Sequence, residues 1–240
     1  MNTREITDLK TVLENPFAFI EDKTAELNDD TVSNLFRKIA DYLIKNVVIT
    51  IGKDCYSFVE IEFYYYKDNS SLNGPMYYCT YPRERNAMQF FTHNSGIDIC
   101  FKSSLEKNNM EFGGILIRTI KKEISEEEYE IIAGPMRCAI ELMNNSFNKG
   151  TLPKLEELNV PKDLKIESTI RYGIEDVIKE RYPEIKKKYD EKTLPLFCYY
   201  VPQKTWTRSY KKRIIKDSKN GGYKESLKDY YGAIPNNRIK

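Results

Sequence analysis

Residues 56–66 read YSFVEIEFYYY, and the alternation in this stretch decides the fold. Aromatic and β-branched residues dominate it, and a period of two divides it into two faces. Glu60, Glu62, Tyr64 and Tyr66 fall on one face, and Val59, Ile61 and Phe63 on the other. A second run, residues 113–121 (GGILIRTIK), is apolar enough for a central strand but is interrupted by Arg118. A guanidinium in such a place needs an anion beside it. The pattern therefore predicts Glu62 and Arg118 in direct or water-mediated contact on one sheet surface. Glu60 is expected on the same surface, and if only one of the two carboxylates opens to a pocket, it is expected to be Glu62. The alternative is an Arg–Glu pair that serves only to satisfy neighbouring strands.

Outward from these strands, Val32, Leu35, Ile39 and Leu43 recur at helical spacing, with Asp30 as the expected cap. Residues 46–52 are β-rich. Residues 88–93 (MQFFTH) and 97–102 (IDICFK) read as strands joined at Asn94-Ser95-Gly96, a sequence suited to a tight turn. Gly134-Pro135 opens a helix over 136–145, since proline fits the first helical position. Residues 165–172 and 194–201 read as strands. The charged segment 175–189, broken by Pro183, reads as two short helices, and the last thirty residues as a partly mobile tail. With no internal repeat or low-complexity linker, the chain reads as one mixed α+β domain. A helical lead-in over 1–45 packs on a main domain over 46–209, and a basic tail follows over 210–240.

The 240 residues carry 38 Lys+Arg, 36 Asp+Glu and one His, a formal charge of +2. Ten basic and three acidic residues between Arg208 and Lys240 make that segment +7 and leave −5 on the rest. Anionic partners are thus a matter for the tail. With 40% hydrophobic residues, 18 Tyr and 11 Phe, the composition is globular. The start of the chain resembles neither a signal nor a transit peptide, and no run approaches the ~18 apolar residues of a membrane span. These features predict a cytoplasmic protein, nucleoid-associated if bacterial, with no membrane partner. The five cysteines (55, 79, 100, 138, 198) are odd in number and scattered, as packed, reduced thiols would be. With a single His they disfavour a zinc site.

Weaker signals remain. His93, near the hairpin, reads as a partly exposed strand residue. Tyr77, Tyr78 and Tyr81 interleave with Arg83 and Arg85, a mixture that can stack bases and hold phosphates, or simply lie over the core. Lys211, Lys212, Arg213 and Lys216 suit a phosphate backbone. No P-loop, Rossmann glycine pattern, nucleophile elbow or His-Glu-x-x-His occurs.

The order of the pieces resembles the alkyladenine (3-methyladenine) DNA glycosylase family. Val59-Glu60-Ile61-Glu62-Phe63-Tyr64 is similar to its Val-Glu-x-Glu-x-Tyr strand. The hairpin around Gly96 comes next, and Ile115-Leu116-Ile117-Arg118-Thr119 is similar to its Leu-Leu-Arg-Ala strand. Gly134-Pro135-Met136-Arg137-Cys138 looks like its Gly-Pro-x-Lys/Arg-x-Cys helix start, and Asn145-Ser146-Phe147 falls where the family has Asn-Lys-Ser-Phe. Residues 170–173 and 196–201 look like its last two strands. The resemblance spans about residues 56–209. It implies a curved, mainly antiparallel sheet flanked by helices, and hydrolysis of the bond between a damaged purine and deoxyribose after the base is flipped out.

By that resemblance Glu62 is the base that orients water, Arg118 sits beside it, and Tyr64 stacks on the base, with Glu60 also at the pocket. The family's wedge tyrosine falls at Ser95, its hairpin stacking tyrosine at Thr92 and its asparagine at Lys102. Its pocket histidine falls in Leu72-Asn73-Gly74 or in the tyrosine-rich loop beyond it. Tyr77, Tyr78, Phe90 or Phe91 could substitute as stacking surfaces. The expected partner is double- or single-stranded DNA bearing a damaged purine, bound by a monomer without metal or cofactor. The alternative is a non-catalytic nucleic-acid-binding or scaffold protein that keeps the fold.

If the tail is the phosphate contact, DNA binding should weaken with salt at a log–log slope of about −4 to −5, for roughly five neutralised phosphates. Deleting residues 210–240 is expected to flatten that slope in a titration by fluorescence anisotropy. An unchanged slope would place the contact elsewhere.

Overall fold

Apolar residues recur every three or four positions after Asn28, and the chain there forms an 18-residue helix, α2 (Asp29–Asn46), preceded by the short α1 (Leu9–Glu14) and a 3-10 turn (Pro16–Phe19). The computed structural model describes residues 6–20, 28–68, 70, 84–125, 128–171, 174, 178 and 196–202. Asn28, not Asp30, caps α2: its side-chain oxygen accepts the Thr31 N–H at 2.9 Å. The helix begins earlier than the apolar periodicity indicates. Asp29 and Asp30 lie in its first turn, where carboxylates favour the positive end of the helix dipole.

Nine strands among the described residues form one antiparallel sheet, curled into a half-barrel. In chain order they are β1 (Val47–Ile51), β2 (Asp54–Lys67), β3 (Phe90–His93), β4 (Gly96–Cys100), β5 (Glu111–Glu123), β6 (Tyr129–Ala133), β7 (Lys154–Glu157), β8 (Glu167–Thr169) and β9 (Cys198–Tyr200). A third helix, α3 (Pro135–Lys149), follows β6. The long strands β2 and β5 pair at the centre. The far edge of β2 pairs first with β1 and then with β9, and the far edge of β5 with β4 and then β6. β3 extends the sheet beyond β4, and β7 beyond β1.

Two of these strands carry little sequence signal. β6 (YEIIA) is masked by the acidic residues before it, and β7 (KLEE) is the charged kind of strand tolerated only at a sheet edge. The two short helices expected over 175–189 lie outside the described residues, apart from Ile178, which is buried, as is Ile174. Cys79 and the tail also lie outside them.

The core is built on the face of β2 that carries Ile61, Phe63 and Tyr65. Phe36 of α2 stacks on Phe63 with ring centroids 4.6 Å apart and meets Phe197 edge-on at 5.1 Å. Phe101 and Tyr199 close the cluster around Phe63. α3 packs over β4, β5 and β6 and is tied down by polar contacts: Tyr56 Oη and Lys122 Nζ both donate to Glu141 Oε1, at 3.0 and 2.8 Å. Cys100, Cys138 and Cys198 are buried thiols and Cys55 a half-buried one, none of them in a disulfide.

Phe36 touches Phe63, Tyr65, Phe101 and Phe197 and is fully buried. Phe36→Ala is expected to lower the unfolding free energy by about 3–5 kcal/mol, read from the midpoint of chemical denaturation. A loss below about 1 kcal/mol would show that α2 does not anchor the sheet.

Candidate functional site

Glu60, Glu62 and Tyr64 alternate onto the side of β2 opposite Phe63, and cross-strand register identifies what shares that side. Leu116 and Cys198 stand opposite Glu62, Tyr200 and Thr119 opposite Glu60, and Gly114 opposite Tyr64. One strand further, Asp98 stands opposite Leu116, and Phe91 opposite Asp98.

The register is interrupted at the centre of this surface. Phe58 pairs with Ile120, Glu60 with Thr119 and Ile61 with Ile117, so Val59 on β2 and Arg118 on β5 each lack an opposite residue. These are facing bulges, and each frees a backbone carbonyl for another segment. Val59 accepts the Val201 N–H and Arg118 accepts the Gly134 N–H, both at 2.8 Å. The bulge corrects the simple alternation: Val59 packs with Tyr200, on the Glu60 side, and not with Ile61 and Phe63.

Arg118 lies between the two carboxylates, with Nη1 2.7 Å from Glu62 Oε2 and Nε 3.4 Å from Glu60 Oε1. The contact expected between Glu62 and Arg118 is therefore present. Neither carboxylate opens to a pocket: Glu62 is 0% and Glu60 1% exposed. The strands on either side, β5 and β9, cover both. Thr119 Oγ1 donates to Glu60 Oε2 at 3.1 Å and Cys198 Sγ to Glu60 Oε1 at 3.3 Å. Tyr64 Oη donates to Glu62 Oε1 at 2.8 Å. Glu62 Oε2 touches Arg118 without receiving an aligned hydrogen bond, so this buried oxygen retains acceptor capacity.

Burial by itself would lower the Arg118 pKa, but Glu62 and then Glu60 beside it hold it well above the ordinary arginine value. The cluster therefore keeps a permanent cation. Burial, and then the charge of Glu62, push the Tyr64 phenol well above its usual range, so it stays a proton donor. The Arg171 guanidinium lies 4.6 Å above the Tyr64 ring, which occupies one of its faces.

The same surface continues into an Asp–His pair. Asp98 is fully buried, and its carboxylate lies where a side chain on Gly114 would be: a Cβ there would stand 2.4 Å from Asp98 Oδ2. His93 Nε2 is 3.0 Å from Asp98 Oδ1, and the Ser95 N–H donates to His93 Nδ1 at 3.3 Å. Because Nδ1 accepts, Nε2 carries the proton and donates to the carboxylate. His93 stacks on Phe91 at 5.8 Å, and the Arg85 guanidinium sits 5.5 Å over Phe91.

The expected site residues thus divide. Glu60, Glu62, Tyr64 and Arg118 come together. Thr92 does not: it pairs with Ile97, points away from Asp98 and is exposed, because the hairpin register puts Phe91 and His93 on the site side. Lys102 is also away from the cluster, exposed beyond β4 with its N–H on Leu13 O. Phe90 packs against the core, which leaves Phe91 as the stacking surface of the pair. Tyr66 stacks on Phe112 at 4.9 Å. Ser95 is at the exposed hairpin tip and Arg85 is exposed. Tyr77, Tyr78, Tyr81, Arg83, Lys211, Lys212, Arg213 and Lys216 lie outside the described residues.

Asp98 and its pairing with His93 escaped the sequence reading, although an acid between Ile97 and Ile99 is the same kind of signal as Arg118 among isoleucines. Among the described residues, no three His, Cys, Asp or Glu side chains are placed together as metal ligands. No helix among them is long and apolar enough to cross a membrane. Comparison of the chain with protein-family models, with curated proteins and with solved structures found no match.

Removing the guanidinium alone leaves two buried carboxylates facing each other. Arg118→Met is expected to cost about 3–5 kcal/mol in chemical denaturation. Adding Glu60→Gln and Glu62→Gln to that variant should recover most of the loss, since the uncompensated charges are then gone. Additive losses across the three substitutions would refute the ion cluster as a unit.

Proposed function

We propose that this protein hydrolyses the glycosidic bond of a modified purine in DNA, with Glu62 as the group that takes the proton from water. The observation that carries this reading is the Glu62 carboxylate itself. It is held by Tyr64 and Arg118 on a polar sheet face, and one oxygen still has acceptor capacity. In the reaction the water oxygen bonds to the sugar carbon, its proton passes to Glu62, and the bonding pair leaves with the base, which is then protonated. A positioned carboxylate of this kind contributes roughly 10²–10⁴-fold in rate. Arg118 fixes the orientation of the carboxylate, and the exposed hairpin offers Phe91 and His93 as surfaces for a flipped base. A cytoplasmic or nucleoid location belongs to the same proposal.

The second reading is a scaffold or nucleic-acid-binding protein without catalysis, in which the cluster is structural. It is favoured by the near-complete burial of both carboxylates and by the Arg171 guanidinium already stacked on Tyr64.

The two are separated by following abasic-site formation in oligonucleotides bearing hypoxanthine or alkylated purines. The hydrolase is expected to excise weakly, and better from mispaired or single-stranded sites, because Ser95 cannot fill the gap in a paired duplex. Glu62→Gln should reduce excision at least about 100-fold. Wild-type rates in that variant would remove Glu62 from the chemistry. Absence of excision from every purine lesion, with salt-dependent binding retained, would establish the second reading.

A further inference from the structure

A helix on a protein surface ordinarily carries one apolar stripe, turned to the core. α3 carries two. Cys138, Ala139 and Leu142 face inward and are buried. Met136, Ile140, Met143 and Phe147 form a second row, 43%, 52%, 50% and 89% exposed. At 3.6 residues per turn these four lie within about 60° of one another, so they make one continuous ridge along the helix.

The spacing of the ridge, steps of four, three and four, is that of the paired positions of a coiled coil. It is also symmetric about its midpoint. Turning the helix end for end places Met136 against Phe147 and Ile140 against Met143. A row that matches its own reverse is the form an isologous two-fold interface requires.

The charges point to the same occupant. α3 has three charged side chains, and two are paired within the chain, Glu141 with Lys122 at 2.8 Å and Lys149 with Asp54 at 3.5 Å. The rest of the outward face is Arg137, Asn144 and Asn148, all exposed. An antiparallel copy sets Arg137 against Asn144 and Asn148, brings no like charges together, and opposes the two helix dipoles favourably. With Arg137 as its one charge among asparagines and apolar side chains, this face offers little to a nucleic acid or a charged peptide.

We propose that α3 pairs antiparallel with α3 of a second copy of this chain, through Met136, Ile140, Met143 and Phe147, in place of the monomer expected from sequence. The pairing stands independently of the hydrolase reading. It also places the second copy beside Gly134, whose N–H holds the bulged Arg118.

The test is sedimentation equilibrium on the full chain at micromolar to tens-of-micromolar concentrations, with far-UV circular dichroism to show that each variant is folded. The wild type should be a dimer. Ile140→Glu, at a half-exposed position, should weaken it at least about 100-fold by burying a charge against Met143 of the second copy. Combining Ile140→Glu with Met143→Lys in one chain should restore the dimer, since antiparallel packing sets each Glu against a Lys. A monomeric wild type, an Ile140→Glu variant that still dimerises, or a double variant that stays monomeric would each overturn the proposal. Loss of the dimer on deleting residues 203–240, with Ile140→Glu unaffected, would also overturn it by assigning the contact to the tail.

Discussion

A permanently charged guanidinium lying between two carboxylates inside a sheet constrains everything around it. Arg118 can be buried only because Glu60 and Glu62 reach it from the neighbouring strand, and they can be buried only because of Arg118. Their oxygens take further donors from three elements: Thr119 on β5, Cys198 on β9 and Tyr64 on β2. The facing bulges at Val59 and Arg118 release two carbonyls, which fasten the segment after β9 and the entry to α3. The central strand pair, the returning β9 and the start of α3 are thus held by one polar cluster, while the Phe36–Phe63 stack on the other side of β2 supplies the apolar driving force.

That division of labour explains how so polar a surface fits into a small domain. The side of β2 that faces Phe36 carries Ile61 among aromatic rings, and the opposite side carries Glu60, Glu62 and Tyr64, a polar row that continues through Asp98 to His93. Gly114 makes the continuity possible, because a side chain there would displace the Asp98 carboxylate. The Ser95 amide, His93 and Asp98 form a chain of two hydrogen bonds. In it His93 holds the turn of the exposed hairpin to the buried sheet.

The catalytic and structural readings draw on the same contacts, since an enzyme must also satisfy the charges it buries. What distinguishes them physically is reorganisation. A carboxylate that accepts a proton from water must exchange part of its interaction with Arg118 for the new O–H, and a purely structural one never does. The acceptor capacity left on Glu62 Oε2 lies on the catalytic side of that distinction, and the complete burial of the pair on the structural side.

The alternation of residues 56–66, the apolar run around Arg118 and the periodicity of α2 were legible because period-two and period-3.6 patterns are local properties of the chain. The pairing of Glu62 with Arg118 followed from them, because a charge among isoleucines must find its opposite. Sequence could not reveal the bulge that moves Val59 to the other side, nor the hairpin register that turns Thr92 outward and Phe91 and His93 inward. Nor could it show the edge position of β7, or the burial that closes over Glu62. Each of these depends on which strand lies next to which, and strand neighbours are set by hydrogen bonds and packing between residues tens of positions apart. The second apolar row of α3 shows the same limit: its spacing is written in residues 136–147, but only the packing of the helix on the sheet decided which of its two apolar stripes the core would take.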